Sequence, residues 1–507
     1  FNMLTSHERI DRIIEKVKYY GTDSGEVRGL IFCSRLEECK QLSEEFNKRG
    51  FSTIALTGSS TDDDREKAIK SLESDDLNNK LDYIFTVDIF NEGIDIPKVN
   101  QIVMLRPTQS AIIFVQQLGR GLRKIDDKEY LTVIDFIGNY SNNYLVPIAL
   151  YGDTSYNKDT IRKLIVSGSQ TIPGTSTINF DRISKNKIFD SIDNTNMQLR
   201  RELVKDYKLL KFRLGRIPRM VDFIENGARD PFSYVTHSKS YFNFISTIEE
   251  ELEGSLKQLQ IKLLEIFSLE VNNGKRVEES WIIKKLIIDG KMDINNFKEF
   301  ILMSYGYQLN EDTILSCLKN INCDFVRENH NKELKTAKDI LGLNIIIREG
   351  SQLKFDPTFR QYLDNITFKE YLFDSTEYSI NIYEKDYNSN KYHQGFILYR
   401  KYSRKDVFRI LNWDKNPVAQ NVGGYIISKD KTNCPIFVNY HKHENISSTT
   451  KYEDMFLNNS EFQWMSKSNR TLKSPDVVDI KNHDNKMRIP LFIKKSNDEG
   501  LGFYYMG

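Results

Sequence analysis

Several features that would mark a specialised class of protein are scarce in this sequence. Its 507 residues include only 5 cysteines, and their odd number and wide spacing exclude a disulfide framework and a paired C-x-x-C metal site. No stretch approaches the roughly 18 continuous apolar residues of a membrane helix, and the beginning, Phe1 to Thr5, lacks the layout of a signal peptide. We therefore expect a protein of the reducing cytoplasm that makes no membrane contact.

An excess of charge of one sign is also lacking. The chain has 72 lysines and arginines against 71 aspartates and glutamates, which excludes a uniform basic surface that would coat nucleic acid. Any contact with nucleic acid must then come from local grooves. A hydrophobic content of 39% over this length is enough for the cores of about three domains.

The chain divides into four segments of different pattern, which together predict an α/β domain, then an α domain, then a β domain. Residues 1–155 alternate apolar strands with amphipathic helices, which predicts a doubly wound parallel sheet. Residues 156–230 predict a polar connector and helical linker, and residues 231–375 a helical middle domain. Residues 376–507 contain short aromatic and β-branched runs between Gly, Asn and Pro, which predicts a β-rich domain. An SRA-like fold is one candidate for this last domain.

The most specific motif is Gln116-Gln117-Leu118-Gly119-Arg120-Gly121-Leu122-Arg123, on a predicted helix. Arginines three apart point to one side of a helix, and planar guanidinium groups can stabilise the charge of a transferring phosphate. The simpler alternative is an ordinary basic helix with solvated arginines. The motif resembles Q-x-x-G-R-x-x-R of superfamily 2 helicases, which implies that Gln116, Arg120 and Arg123 are catalytic and that Gly119, Arg120 and Arg123 contact ATP.

A second motif runs from Thr86 to Pro97 after a predicted strand, and it resembles the helicase segment that links ATP to nucleic acid. Gly93 permits a tight turn, and Asp95 can accept hydrogen bonds from a ribose or an arginine, so both are predicted to lie at the ATP. Thr86 can offer its hydroxyl to a phosphate of the nucleic acid.

Two earlier loops, Cys33-Ser34-Arg35 and Thr57-Gly58-Ser59, follow predicted strands. Ligands bind at the carboxyl ends of parallel strands, so Ser34, Arg35, Thr57 and Gly58 are predicted to contact nucleic acid. Taken singly, Ser34 or Thr57 would more often be a turn residue. Four motifs in the family's order indicate the second, RecA-like motor domain of a superfamily 2 helicase.

A complete motor also needs the phosphate-cradling loop G-x-x-x-x-G-K-[ST], which the sequence does not contain. ATP and Mg²⁺ would therefore be held mainly by a first motor domain, and we expect no ATP hydrolysis by these 507 residues alone.

Further segments resemble the SauUSI-like family of type IV, modification-dependent restriction enzymes. They are Asp135 to Tyr140, Leu214 to Pro218, Tyr399 to Val407, Pro435 to Lys442 and Phe503 to Gly507. The resemblance implies an upstream phospholipase-D-like nuclease and first motor domain in the same polypeptide. It also implies a partner, double-stranded DNA with 5-methylcytosine or 5-hydroxymethylcytosine, recognised by the C-terminal domain. A homodimer is one assembly that this family assignment leaves open.

The C-terminal residues 376–507 are compatible with that role, since they have 20 Lys and Arg against 15 Asp and Glu. Aromatic side chains can stack on a flipped base while polar groups read its edge, and the predicted pocket consists of Trp413, Asp414, Gln420, Tyr425 and Trp464. The alternative is that both tryptophans are core residues. Arg400, Arg404 and Lys405 are predicted to contact phosphates, although a solvated face would have the same composition.

Two nuclease interpretations of the extension fail on the residues. His237-Ser238-Lys239 begins a phospholipase-D motif, but Phe244 stands where its acidic residue belongs, and His441 to Glu444 has no second ligand cluster for a metal. A generic DNA or RNA helicase for repair or remodelling, with an extension that binds nucleic-acid structure, remains the alternative function. A binding module without enzymatic activity is the third possibility.

Overall fold

The computed structural model describes residues 6–76, 78–87, 96–108, 110–119, 122, 125, 128–138, 140, 142–168, 176–195, 197, 199–330, 333–417, 422–440, 455–458, 461–467, 469–482, 486–494 and 500–507. The chain divides into two units. Unit 1 comprises residues 1–216 and 223–230, and unit 2 comprises residues 217–222 and 231–507.

Unit 1 contains a parallel sheet of five strands in the order β2-β3-β1-β4-β5. The strands are β1 (Gly29–Phe32), β2 (Thr53–Leu56), β3 (Tyr83–Thr86), β4 (Gln101–Met104) and β5 (Thr132–Asp135). This confirms the predicted doubly wound parallel sheet.

Helices cover both faces of this sheet because successive side chains of each strand point to opposite sides. Ile31 packs into one core with the side chains of the first two helices, whereas Leu30 and Phe32 pack into the other. The helices of this part are α1 (His7–Tyr20), α2 (Leu36–Lys48), α3 (Asp62–Leu72), α4 (Ala111–Gly119) and α5 (Leu145–Tyr151).

The segment predicted as a polar connector and helical linker contains helices of the same unit: α6 (Lys158–Ser167), α7 (Arg182–Asn194) and α8 (Arg200–Leu214). Ile161, Ile165, Ile188 and Ile192 form a buried cluster with Ile148 of α5. Unit 1 thus extends beyond the predicted boundary at residue 155, because few but regularly spaced apolar residues suffice to bury these helices.

Unit 2 begins with mainly helical sequence, but the middle region also contains short strands that the sequence analysis missed. Helix α9 (Met220–Glu225) is divided between the two units. The elements of unit 2 that follow it are α10 (Phe232–Ser238), α11 (Tyr241–Ile245), α12 (Gln258–Ile266), α13 (Val277–Asp289), β6 (Lys291–Asp293), α14 (Ile294–Tyr305), α15 (Glu311–Ile321), β7 (Arg327–His330), β8 (Glu333–Thr336), α16 (Ala337–Leu341), β9 (Ile346–Glu349), β10 (Gln352–Phe355), α17 (Pro357–Arg360) and α18 (Ile366–Asp386). Strands of three or four residues are too short to show a clear alternating pattern.

The boundary predicted at residue 376 falls inside α18, whose buried residues continue through Tyr378, Ile380 and Tyr383. The C-terminal elements are β11 (Tyr392–His393), β12 (Phe396–Ile397), β13 (Lys401–Ser403), α19 (Arg404–Ile410), β14 (Ile436–Asn439), β15 (Met455–Phe456), β16 (Phe462–Gln463), α20 (Pro475–Lys481), β17 (Leu491–Lys494) and β18 (Gly502–Tyr505). A mixed sheet has the order β13-β18-β17-β14, with β14 and β17 parallel. The SRA-like fold stays a prediction.

A buried ion cluster joins the middle region of unit 2 to its C-terminal region. The carboxylate of Glu279 on α13 lies 2.5 Å from a guanidinium nitrogen of Arg276 and 2.8 Å from one of Arg409 on α19. All three side chains are at most 4% exposed. Arg276 also donates to the backbone carbonyl of Arg409 at 2.8 Å. We call Arg276, Glu279 and Arg409 the buried ion cluster.

Replacing Glu279→Ala is expected to destabilise unit 2 by about 3–5 kcal/mol, because two buried guanidinium groups then lose their carboxylate. All three tryptophans, Trp281, Trp413 and Trp464, belong to unit 2, so the denaturant midpoint of tryptophan fluorescence measures this loss. Glu349→Ala is the matched control, because Glu349 pairs with Lys354 on the surface and such pairs contribute about 0–1 kcal/mol. Equal shifts for the two variants would contradict the assignment.

Candidate functional site

The parallel sheet of unit 1 brings three predicted nucleic-acid contacts to one edge. The strands β2, β3 and β1 are neighbours, and their last residues Leu56, Thr86 and Phe32 are paired in register. Thr57 and Ser34 follow two of these ends within two residues. The hydroxyl-bearing residues predicted from three separate motifs therefore lie side by side at the carboxyl edge of the sheet, where such folds bind ligands.

The loop after β1 is held by the first turn of α2. The backbone N–H of Ser34 donates to a carboxylate oxygen of Glu38 at 3.0 Å, and the same carboxylate, fully buried, pairs with Arg9 at 2.8 Å. Arg35 precedes the helix and is exposed. The local fold thus fixes the backbone of this loop and leaves the Arg35 side chain at the surface.

The loop after β2 is a turn closed by its own hydroxyl groups. The N–H of Thr57 donates to Oγ of Ser60 at 3.0 Å, and the hydroxyls of Thr57 and Ser59 lie 2.8 Å apart. Thr57 is buried and Gly58 is exposed. A ligand at this edge would therefore meet the Gly58 backbone before the Thr57 hydroxyl.

Two buried oxygen atoms at this edge have no hydrogen-bond partner within the described part of the chain. They are Oγ1 of Thr86, at the end of β3, and Oδ2 of Asp135, at the end of β5. Burial raises the pKa of Asp135 to about 7, so much of this carboxyl group is neutral near that pH. A buried polar atom normally finds a partner, which makes both oxygens candidates to accept or donate a bond to a ligand.

The arginine motif lies mostly beyond what the structure describes. Helix α4 contains Gln116 and ends at Gly119, and Gln117 beside it is buried. The Gln116 side chain, Arg120, Arg123, Gly93 and Asp95 lie outside the described residues, and their roles at ATP stay predictions.

Sequence analysis missed Asp135 and Arg106 as site residues. The guanidinium of Arg106, just after β4, lies 5.8 Å from the ring of Phe32. Asp135 ends β5 and Arg106 follows the end of β4, so a search of the carboxyl ends of all five strands would have found both.

The predicted phosphate contacts of the C-terminal region point largely inward. Arg400 is buried and pairs with Asp386 at 3.2 Å, and Lys405 pairs with Glu270 at 2.5 Å. The Arg404 guanidinium lies 5.2 Å from the ring of Phe437, and burial lowers its pKa. These three cations are engaged in packing, and their contact with phosphate stays a prediction.

The predicted base pocket is divided between two faces of the C-terminal sheet. The Trp413 ring packs 4.7 Å from Phe408, which lies 5.9 Å from Phe437 of β14. Trp464 packs 5.1 Å from Tyr425, in a cluster with the Phe437 neighbours Ile436 and Val438. Neighbouring strand residues face opposite sides, so the two tryptophans do not share one pocket.

Of the other two predicted pocket residues, one lies at the surface and one is not described. Asp414 is exposed and pairs with Lys319, and Gln420 lies outside the described residues.

Around Tyr425 the structure gathers several polar groups. Its hydroxyl donates to Asp476 at 2.6 Å, and Arg470 donates to the same carboxylate oxygen at 2.8 Å. The Lys467 ammonium lies 4.6 Å from the Tyr425 ring. Burial, with the bond to Asp476, raises the pKa of Tyr425 to about 12. We call Tyr425, Trp464, Lys467, Arg470 and Asp476 the Tyr425 cluster.

The described ranges of the chain contain no helix long and apolar enough to cross a membrane and no group of three or more His, Cys, Asp or Glu side chains that could hold a metal ion. The five cysteines are buried and free.

Comparison with known families assigns three parts of the chain. Residues 8–124 match the helicase conserved C-terminal domain. Residues 203–388 match a domain of unknown function (DUF8090), and residues 396–507 match another (DUF3427). The boundary between these two matched domains lies just after α18, which ends at Asp386.

Several curated relatives are named as helicases. The putative ATP-dependent helicase IRC3 of Saccharomyces cerevisiae is 25% identical over 162 residues, which cover 31% of this chain and 21% of that protein. The putative mitochondrial ATP-dependent helicase irc3 of Schizosaccharomyces pombe is 24% identical over 284 residues, covering 53% and 42%. The pre-mRNA-splicing ATP-dependent RNA helicase prp28 of Aspergillus niger is 31% identical over 99 residues, covering 19% and 12%. The chain therefore spans less than half the length of each of these proteins.

Among solved structures, the C-terminal part of the Fun30 ATPase domain aligns with 15% identity and a TM-score of 0.25, covering 38% of this chain and 56% of that one.

The raised pKa of Asp135 predicts a pH-dependent stability of unit 1. Between the ordinary pKa of an aspartate and about 7, the unfolded chain is ionised while the folded chain still holds the proton, so this group lowers stability progressively as pH rises through that window. Asp135→Asn is expected to be more stable than the parent chain at pH 8 and to differ little at pH 4.5. Urea unfolding of both chains at the two pH values, monitored by circular dichroism, measures the difference in their free energies of unfolding. The same difference at both pH values would contradict the pKa assignment.

Proposed function

We propose that this chain, whose residues 8–124 are the C-terminal half of a superfamily 2 helicase, contributes to ATP-driven translocation along DNA in a type IV restriction enzyme. In this proposal its C-terminal region recognises 5-methylcytosine or 5-hydroxymethylcytosine in double-stranded DNA. Cleavage falls to a nuclease upstream of the motor in the same polypeptide.

One observation carries the motor part of the proposal. The carboxyl edge of the parallel sheet places Ser34, Thr57 and Thr86 on three neighbouring strands. Hydroxyl groups and backbone amides at such an edge suit the phosphates of a nucleic-acid strand, which position a protein without reading the base sequence. A motor that moves along DNA needs contacts of that kind.

The ATP side follows from the motif that ends α4. Arg120 and Arg123 would approach the γ-phosphate across the cleft from a first motor domain, which would hold most of ATP and Mg²⁺. ATP binding would then close the two motor domains on each other.

The Tyr425 cluster supports the recognition part. It combines two aromatic rings with two cations and a carboxylate, which are the groups that stack on a base, neutralise its phosphate and read its edge. The cluster lies within the part of the chain that resembles modification-dependent restriction enzymes.

A second candidate is a helicase for repair or remodelling whose extension binds nucleic-acid structure. The curated relatives favour it, because their names describe helicases and one acts in pre-mRNA splicing. Recognition of a modified base separates the two candidates.

Arg123→Ala, made in the polypeptide that includes the first motor domain, is expected to abolish DNA-stimulated ATP hydrolysis, because one guanidinium at a transferring phosphate contributes about 10³-fold or more in rate. Binding to methylated DNA should be unchanged. Arg201→Ala is the matched control, since the Arg201 side chain is 78% exposed and should keep full activity. Retained ATP hydrolysis in Arg123→Ala would refute the motor assignment.

Binding of the whole chain to matched duplexes tests recognition. The duplexes are unmodified, 5-methylcytosine and 5-hydroxymethylcytosine forms of one sequence, and the modified forms should bind more tightly. Trp464→Ala should remove about 1–3 kcal/mol of that affinity, the usual value of one stacked base, whereas Trp413→Phe, on the other face of the sheet, should keep it. Equal affinity of the parent chain for all three duplexes would favour the repair helicase instead.

A further inference from the structure

The order of helices and strands in residues 277–355 of unit 2 was not predicted from the sequence. The matched domain of unknown function does not specify it either. A first helix, α13, is followed by the short strand β6 and the helix pair α14 and α15. The antiparallel strands β7 and β8 and the short helix α16 come next, before the antiparallel strands β9 and β10. The strands form a sheet in the order β6-β10-β9. Strand β10 pairs antiparallel with both neighbours, and a two-residue turn at Gly350 and Ser351 joins β9 to β10.

Apart from β7, β8 and α16, which are inserted between α15 and β9, this arrangement is that of a winged helix. The helices α14 and α15, joined by a short turn that begins at Gly306 with φ +75°, form the helix-turn-helix, and the β9–β10 hairpin forms the wing. In a helix-turn-helix the second helix is the one that enters the major groove of DNA. Helix α15 holds that position here.

The outward face of α15 is poorly suited to DNA. Its exposed residues are Glu311, Asp312, Leu315 and Lys319, so its first turn carries two acids that would face phosphates. Arg348 of the wing pairs with Glu311 and is not free for a phosphate. Residues 277–355 together have 11 Lys and Arg against 12 Asp and Glu, which gives no net attraction for a polyanion.

The inward face of α15 is occupied by the C-terminal region. The Ser316 hydroxyl donates to the backbone carbonyl of Arg409 at 3.2 Å. The Asn412 amide, just after α19, donates to the Thr313 hydroxyl at 3.0 Å. Lys319, which lies on the outward face at the other end of the helix, also pairs with a residue of this region, Asp414. Residues 409–414 therefore follow α15 along most of its length.

The buried ion cluster reinforces this contact. Arg276 donates to Ser316 at 3.1 Å, and Asn320 of α15 donates to the Glu279 carboxylate at 3.1 Å. The residues that hold Arg409 in the C-terminal region thus belong to α15 and to the start of α13.

We propose that residues 277–355 form a winged helix whose recognition helix, α15, binds residues 409–414 of the same chain and not duplex DNA. The winged helix then serves as the base that orients the C-terminal sheet, and contact with DNA falls to other surfaces. Only the DNA-binding experiment below depends on the function proposed above.

A designed disulfide tests the contact directly. Thr313→Cys with Asn412→Cys replaces two side chains whose oxygen and nitrogen lie 3.0 Å apart. We expect the pair to cross-link on oxidation in the whole chain, with each single variant as the control. Failure of the folded chain to cross-link both on oxidation and with a short reagent that bridges two thiols would overturn the proposal, because the reagent does not require the close Cβ spacing of a disulfide.

The locked chain also shows whether α15 must be released to bind DNA. A 30-bp duplex should bind the oxidised and the reduced double variant with affinities equal within about twofold, whereas a recognition helix that has to leave for the major groove would lose about tenfold or more on locking. That loss would contradict the proposal. If the parent chain binds no duplex, the function proposed above is wrong. The cross-linking result still shows whether residues 409–414 contact α15.

Hydrogen exchange gives an independent measurement. Arg409→Met removes the guanidinium that binds Glu279, the carboxylate to which Asn320 of α15 also donates, and the amides of both α15 and α19 should exchange at least about tenfold faster. Arg348→Met is the matched control, because it removes an exposed ion pair of the same helix and should leave α19 unchanged. Unchanged exchange of α15 in Arg409→Met would overturn the proposal.

Discussion

The carboxylate of Glu279 is the group on which the organisation of unit 2 depends. It neutralises two guanidinium groups, from Arg276 next to it and from Arg409 more than a hundred residues later. An arginine this deeply buried is costly unless it is paired and its remaining N–H groups have acceptors. The carbonyl of Glu270 and the amide oxygen of Asn273 supply such acceptors for Arg409. The two segments matched to separate domains of unknown function are therefore joined by charge as well as by apolar packing.

The same constraint explains why the basic run at the start of α19 turns inward. Ser403 and Asp406 form a capping box that starts the helix, and this fixes the direction in which the following residues point. Arg409 then faces Glu279, and Lys405 faces Glu270. The amino-acid composition counts these side chains toward a net positive charge. It does not show whether they point inward or toward solvent.

The sheet of unit 1 and the order of its strand-end loops could be predicted from the sequence, because buried parallel strands are continuous apolar runs and each motif follows one of them. Asp135 could also have been predicted as a residue of this edge, because it ends β5. The separation of Trp413 from Trp464 could not be predicted from the sequence. It depends on which face of β14 each tryptophan packs against, and a shift of one residue along the strand exchanges the two faces. The strands β6, β9 and β10 were missed because three or four residues are too few to show an alternation of apolar and polar side chains.

The parallel pairing of β14 with β17 has a consequence for how this protein can diversify. Parallel neighbours cannot be joined by a tight turn, so the chain must leave the sheet after Asn439 and return at Leu491 by a long crossover. That crossover includes Trp464, Lys467, Arg470 and Asp476. Insertions and exchanges are tolerated in such connections far better than in the strands they join. Related chains can therefore acquire different ligand preferences by replacing this one passage while the sheet beneath it keeps its sequence.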